Sequence, residues 1–115
     1  MKKKIVFGVL VLFFIVGSVL YAQSSTNLGL GVYRTVGSGT NLVVVKSAGY
    51  GLASRIITVL SPDGKETIME GKGSLKNGEF QVDFGRDGFD IWTIVSSQEF
   101  VDGTGRTWRW VRQNL

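Results

Sequence analysis

The chain has no cysteine, no histidine and a single proline among its 115 residues. Without histidine there is no Ser-His-Asp relay and no imidazole acid or base. Without cysteine there is no thiol nucleophile and no disulfide. Without either, the usual zinc, copper and haem ligand sets cannot be assembled. The Gly-x4-Gly-Lys phosphate loop is also missing. Carboxylate, lysine or tyrosine chemistry and hard-cation binding are what remain.

Acidic residues are absent from Met1 to Ala22, which carries Lys2, Lys3 and Lys4. Ile5 to Leu20 is apolar apart from Gly8, Gly17 and Ser18, and Tyr21-Ala22-Gln23 follows. A cationic start, an apolar middle and a small-residue exit form the pattern of a secretory signal peptide. Cleavage is expected after Ala22, with Ser18 as a second site and retention as the third outcome. A retained segment would be the only link to a membrane, and its run of about 16 residues is shorter than the roughly 20 that span a bilayer. Lipid attachment through an N-terminal cysteine is excluded. The protein is therefore expected to be extracytoplasmic, periplasmic or secreted. Residues 1–22 form the signal, 23–27 a flexible lead-in and 28–115 one domain. Removing the three lysines lowers the formal charge from +4 to +1, with 10 basic against 9 acidic residues. That balance gives no nucleic-acid footprint. With no disulfide available outside the cytoplasm, the core alone, or association, must hold the domain together.

The mature part is rich in glycine, and its apolar residues are mostly β-branched or aromatic, which opposes helices and favours strands. Turn signals punctuate it. Ser61-Pro62-Asp63-Gly64 suits a tight turn, and Lys76-Asn77-Gly78-Glu79 suits a two-residue hairpin. Gly85-Arg86-Asp87-Gly88, Asp102-Gly103-Thr104-Gly105, Gly37-Ser38-Gly39-Thr40 and Ser47 to Gly51 mark further turns. The spacing predicts strands near 29–36, 41–46, 53–60, 65–74, 79–84, 89–96, 98–101 and 105–112. In Glu79 to Phe84, the residues Phe80, Val82 and Phe84 face one way and Gln81 and Asp83 the other. Leu28, Leu30 and Val32 are expected to alternate likewise. Leu42 to Val45 is a continuous apolar run, and Ile56 and Leu60 oppose Ile57 and Val59; strands apolar on both faces fit a sheet covered on both sides, a dimer face or a bound partner. The fold class is all-β: a small antiparallel up-and-down meander of about eight short strands, closed or partly open as a barrel. A two-layer β-sandwich is the alternative.

The chain ends carry a resemblance. Gly31-Val32-Tyr33-Arg34 lies on the first strand and Thr107-Trp108-Arg109-Trp110-Val111-Arg112 on the last. These segments resemble the lipocalin-like (calycin) barrels, which have Gly-x-Trp near the first strand and an arginine on the last strand over that ring. Tyr33 stands in the position of the tryptophan, and Arg109 or Arg112 in that of the arginine. The resemblance implies a small barrel with an apolar ligand.

Candidate binding residues follow from aromatic and arginine placement. Arg106, Trp108, Trp110 and Arg112 share one phase of the last strand, and Thr107, Arg109, Val111 and Gln113 the other. The two indoles either plug the core while the arginines reach the rims, or form a stacking platform for sugars, nucleobases or a partner's side chains. Trp92, opposite in phase to Phe89 and Ile91, has the same two readings. Tyr50, in the glycine-flanked loop 47–52, could form a lip over a pocket. The candidate ligand-binding set is thus Tyr33, Tyr50, Trp92, Trp108, Trp110, Arg109 and Arg112. Asp83, Asp87 and Asp90 read mainly as turn residues and secondarily as oxygen ligands for Ca²⁺, without the EF-hand spacing. A carboxylate pair from Glu66, Glu70, Asp83 or Glu99 would need a substrate cleft for which so small a barrel has little room. No catalytic residue, metal site or cofactor is expected. The expected function is a non-enzymatic binding module for a small apolar or glycan ligand. The alternative is an interaction, inhibitor or envelope protein whose partner is an envelope or host protein.

Overall fold

A computed structural model describes residues 26–37, 40–49 and 53–115. The expected signal segment and Tyr50 lie outside the described residues. Eight antiparallel strands in sequential order close into a barrel. They are β1 (Gly31–Thr35), β2 (Leu42–Ser47), β3 (Ser54–Leu60), β4 (Thr67–Lys76), β5 (Glu79–Asp83), β6 (Phe89–Ser96), β7 (Glu99–Val101) and β8 (Thr107–Arg112). The up-and-down barrel, not the sandwich, is the architecture. Closure comes from β8 pairing with β1 through Thr35↔Trp108, Arg34↔Arg109 and Tyr33↔Trp110. Every strand thereby has two neighbours, so no sheet edge is left open.

Local sequence explains the connections. Asn77 (φ 53°) and Gly78 (φ 80°) both occupy the left-handed region, as a hairpin of matching twist requires. In the Pro62 turn, the Gly64 amide donates to the Ser61 carbonyl at 2.8 Å. Gly85–Asp87 forms one 3-10 turn.

Alternation then sorts the side chains. Phe80, Val82 and Phe84 all join the interior, as expected of that strand. Tyr33, Val43, Val45, Ile57, Val59, Trp92, Ile94, Phe100 and Trp108 join them. Burying each such side chain contributes roughly 1.5–3 kcal/mol, which is how a domain without disulfides holds. The β4 backbone makes room for this filling: a side chain at Gly73 would strike the Phe80 ring.

The two-faced strands have a second, smaller cluster. Val32, Leu42, Val44 and Leu60 are buried together, separate from the interior set. Leu42 and Leu115 both lie beside Gly64 of the β3–β4 turn, so the chain's end returns to this outer cluster. The apolar second faces of β2 and β3 are therefore largely accounted for within the molecule.

The first strand departs from expectation. Leu30 is exposed, and the inward position passes to Tyr33. β1 pairs with β2 without a shift, so its alternation is regular, in the phase that turns Tyr33 inward and Val32 to the outer cluster; the irregular step lies on β8, where Val111 is the extra residue between Trp110 and Arg112.

Gly31 controls this seam. Its φ of 147° is one that side-chain-bearing residues rarely adopt, and an added Cβ would collide with the Trp110 indole. Gly31→Ala is expected to cost at least about 2 kcal/mol, lowering the melting temperature by about 8–16 °C. A thermal melt followed by circular dichroism checks this; an unchanged melt would show that closure does not depend on this contact.

Candidate functional site

Four of the seven sequence-derived candidates lie in or against the interior. Phe80, Trp92, Phe100 and Trp108, from four consecutive strands, form a row of near-parallel rings. Centroids are 5.8 Å apart for Phe80–Trp92, 4.1 Å for Trp92–Phe100 and 5.9 Å for Phe100–Trp108. Tyr33 meets Phe100 in a tilted contact at 5.3 Å. Such offset contacts add about 0.5–1.5 kcal/mol each beyond burial.

The polar atoms of these rings are occupied. The Trp92 indole donates to Asp90 Oδ2 at 2.9 Å, and the Trp108 indole donates to Asp102 Oδ2 at 2.8 Å. Asp90 and Asp102 sit at the same end of the barrel, where β6 begins and the β7–β8 turn lies. Asp102 Oδ1 also accepts from the Thr104 and Arg106 amides. Burial pushes the Asp102 carboxyl up, but bonds from the Thr104 hydroxyl, the Trp108 indole and these amides outweigh it and hold the group below its ordinary value. Trp110 is half-buried against the core, and its indole donates to the Leu30 carbonyl at 3.2 Å. Trp108 therefore takes the core reading; Trp110 lies at its margin.

At the opposite end, the lead-in crosses the barrel mouth. The Asn27 amide donates to the Ala53 carbonyl at 3.1 Å, Leu28 is fully buried, and the Gly29 amide donates to the Ser97 carbonyl at 2.7 Å. The chain is thus anchored from Asn27 onward. The Tyr33 hydroxyl lies 2.7 Å from the Gly29 carbonyl and 2.8 Å from the Ser97 carbonyl, one proton serving two acceptors. Burial pushes the Tyr33 phenol up to about 12, against the opposing pull of the Arg55 guanidinium and the Gly29 bond. Arg55 Nε donates to the Leu28 carbonyl at 2.9 Å.

The arginine placed near Tyr33 is accordingly Arg55 of β3, not Arg109 or Arg112 of the last strand. Arg109 pairs with Glu99 at 3.2 Å, its side chain largely exposed. Arg112 is exposed and registers with Val32, the residue after which the pairing slips. Arg112 therefore does not stay in phase with Trp108 and Trp110. Sequence reading had no signal for Arg55, because its role comes from β3 starting under the lead-in, 27 residues away.

Grooves on the described surface bear on the candidates. One, of about 540 Å³, lies at the β8–β1 seam and includes Thr35, Thr40, Glu99, Arg106, Thr107 and Arg109. Another, of about 370 Å³, lies by Ile56, Glu70 and Asp83, and a third, of about 400 Å³, lies between Leu30, Val44 and the chain's end. All three are framed by rim and outer residues. Across β8–β1 the outer face carries Arg34, Arg109 and Arg112, with Arg34 directly opposite Arg109, and Arg106, just before β8, stands exposed at the rim of the same groove. The outer face of β6 leaves Phe89, Ile91 and Val95 exposed. The carboxylates weighed for a metal or a glycosidase are dispersed: Asp83 accepts from the Gly85 amide, Glu70 from Thr58, and Asp90 is committed to Trp92. No group of three metal-ligating side chains occurs among the described residues.

Two pH effects follow. Tyr33 is held protonated in the folded state to about 12, against about 10 when unfolded. Its contribution is full below about pH 10 and is lost as the pH rises toward 12. Tyr33→Phe should cost about 1–2 kcal/mol at neutral pH and remove that alkaline loss; denaturant midpoints of both proteins from pH 9 to 12 check it. For Asp102 the sign is opposite. Its contribution is present above the unfolded value near 4 and is lost as the pH falls through the lower folded value. Asp102→Asn should lower the neutral-pH midpoint and flatten the acid limb, read from urea melts between pH 2 and 6. Comparison with protein-family models, with curated proteins and with solved structures found no match, so the functional reading rests on these residues themselves.

Proposed function

We propose that this protein is a non-enzymatic, extracytoplasmic interaction module that binds a partner protein with its outer surface. The observation that carries this is the filled interior. Tyr33, Phe80, Phe100, Leu28, Ile57, Val45 and Val82 are each no more than 1% exposed, and they are among the residues lining the inside of the barrel. A small-ligand site needs a cavity with a few convergent polar groups. The interior polar atoms of Tyr33, Trp92 and Trp108 already have partners, and no buried side-chain nitrogen or oxygen among the described residues lacks one. An apolar or glycan ligand inside the barrel would have to displace Leu28 or part of the aromatic row, and cavity-forming changes in such cores typically cost about 2–5 kcal/mol.

The outer surface supports the same reading. Closed pairing leaves rigid strands with side chains in fixed register, a good platform for recognition by shape and charge. The extracytoplasmic part of the proposal rests on the cationic and apolar start of the chain. The lipocalin-like resemblance is carried by barrel topology, and the ligand-holding part of that resemblance finds no support in the filled core.

Native mass spectrometry of the protein recovered from its own cells provides the test. The expected spectrum shows the bare chain with no releasable small molecule, at a mass reduced by the N-terminal segment. A small-molecule adduct that survives gentle ionisation and leaves on activation would overturn the proposal and restore a binding pocket.

A further inference from the structure

The outer arginines are not placed as folding alone would place them. Arg34 and Arg109 are directly opposite each other across the β1–β8 pair, and like charges in that position destabilise a sheet. Glu99 relieves Arg109 only. Arg34, Arg106 and Arg112 have no ion-pair partner among the described residues and are exposed. From Arg106 to Arg112 the row runs along the length of β8, roughly 20 Å at the usual strand rise. Arg106 and Arg109 line the 540 Å³ groove beside the hydroxyl-bearing Thr35, Thr40 and Thr107.

We propose that this arginine-bearing outer face of the β8–β1 seam docks a carboxylate-rich surface of a partner protein. The inference rests on the interaction reading above and supplies its face and its chemistry. Cation type supports it. The seam strands β1 and β8 carry arginine and no lysine, whereas Lys46 lies on β2 and Lys72 and Lys76 on β4. A guanidinium is a planar fork that binds a carboxylate through two parallel hydrogen bonds and is less strongly hydrated than an ammonium, so arginine is enriched in protein interfaces and lysine depleted. The apolar neighbours point the same way. Val36 and Val111 are 54% and 46% exposed among the arginines, and apolar contacts inside a charged frame are typical of protein interfaces. A soluble polyanion offers those valines nothing. Sugar or base recognition would want an exposed aromatic platform, and the indoles of β8 are turned to the core side. A membrane surface favours lysine with exposed tryptophan or phenylalanine, which this seam lacks.

Three probes test the face: a synthetic poly-glutamate peptide, a heparin oligosaccharide and vesicles containing phosphatidylglycerol. Each is titrated against the intact protein, against Arg34→Gln/Arg106→Gln/Arg112→Gln, and against Lys46→Gln/Lys72→Gln/Lys76→Gln. The two variants lose the same charge at different places, and all the changed side chains are exposed, so neither should melt below the parent; removing Arg34 from opposite Arg109 should raise the arginine variant's melt slightly. The expected result is poly-glutamate binding that weakens about tenfold in the arginine variant, stays within about twofold in the lysine variant and falls with added salt. Equal weakening in both variants, no poly-glutamate binding, or stronger binding to heparin or vesicles at matched charge would each overturn the proposal. Photo-cross-linking in the native extracytoplasmic fraction separates this failure from that of the broader reading. Cross-linkers placed at Val36, in the seam, and at Ile91, on the exposed face of β6, report which surface meets a protein. A partner seen from Ile91 alone would keep the interaction module and overturn the arginine face. No partner from either position would overturn both.

Discussion

The barrel depends on a row of stacked rings. Phe80, Trp92, Phe100 and Trp108 come from β5, β6, β7 and β8, and each ring packs on the next. A row of that size needs room on the far side of the barrel, and β4 supplies it by having Gly73 where Phe80 lies. The same row packs the inside of the barrel, and its indole hydrogens are held by Asp90 and Asp102. That packing is the ground for the proposal that recognition takes place on the outer surface.

Each barrel end is closed by a different device. At one end two aspartates hold two indoles, so charge-assisted hydrogen bonds fix aromatic side chains without an ion pair. At the other end the lead-in lies across the mouth, with Leu28 as the apolar plug and Tyr33 and Arg55 tying backbone carbonyls above it. These devices do for a chain without cysteine what disulfides do in many small domains. They also explain why the lead-in belongs to the fold from Asn27 onward.

The outer face is uneven. On β1, β2 and β3 an apolar cluster is buried beside the chain's end, on β6 an apolar stripe is open to solvent, and on β8 and β1 arginines dominate. A domain with nearly balanced charge can thus still present a strongly cationic strip, because balance is a property of the whole chain and recognition is a property of one face. The proposed partner chemistry follows from this segregation and not from net charge.

Much of this was legible in local sequence. The turn pairs Pro62-Asp63-Gly64 and Asn77-Gly78, and the alternation of Phe80, Val82 and Phe84, act over a few residues, so the eight strands and their sequential pairing could be read from the chain. What depended on register could not. Whether Trp108 faced inward, whether Arg112 kept its phase, which arginine stood near Tyr33, and that Arg34 faced Arg109 were all decided when β8 closed on β1. That contact joins residues about 75 positions apart, and a single register slip there turns side chains to the opposite face. Local patterns define strands and turns; only closure of the barrel decides which side chains share a surface.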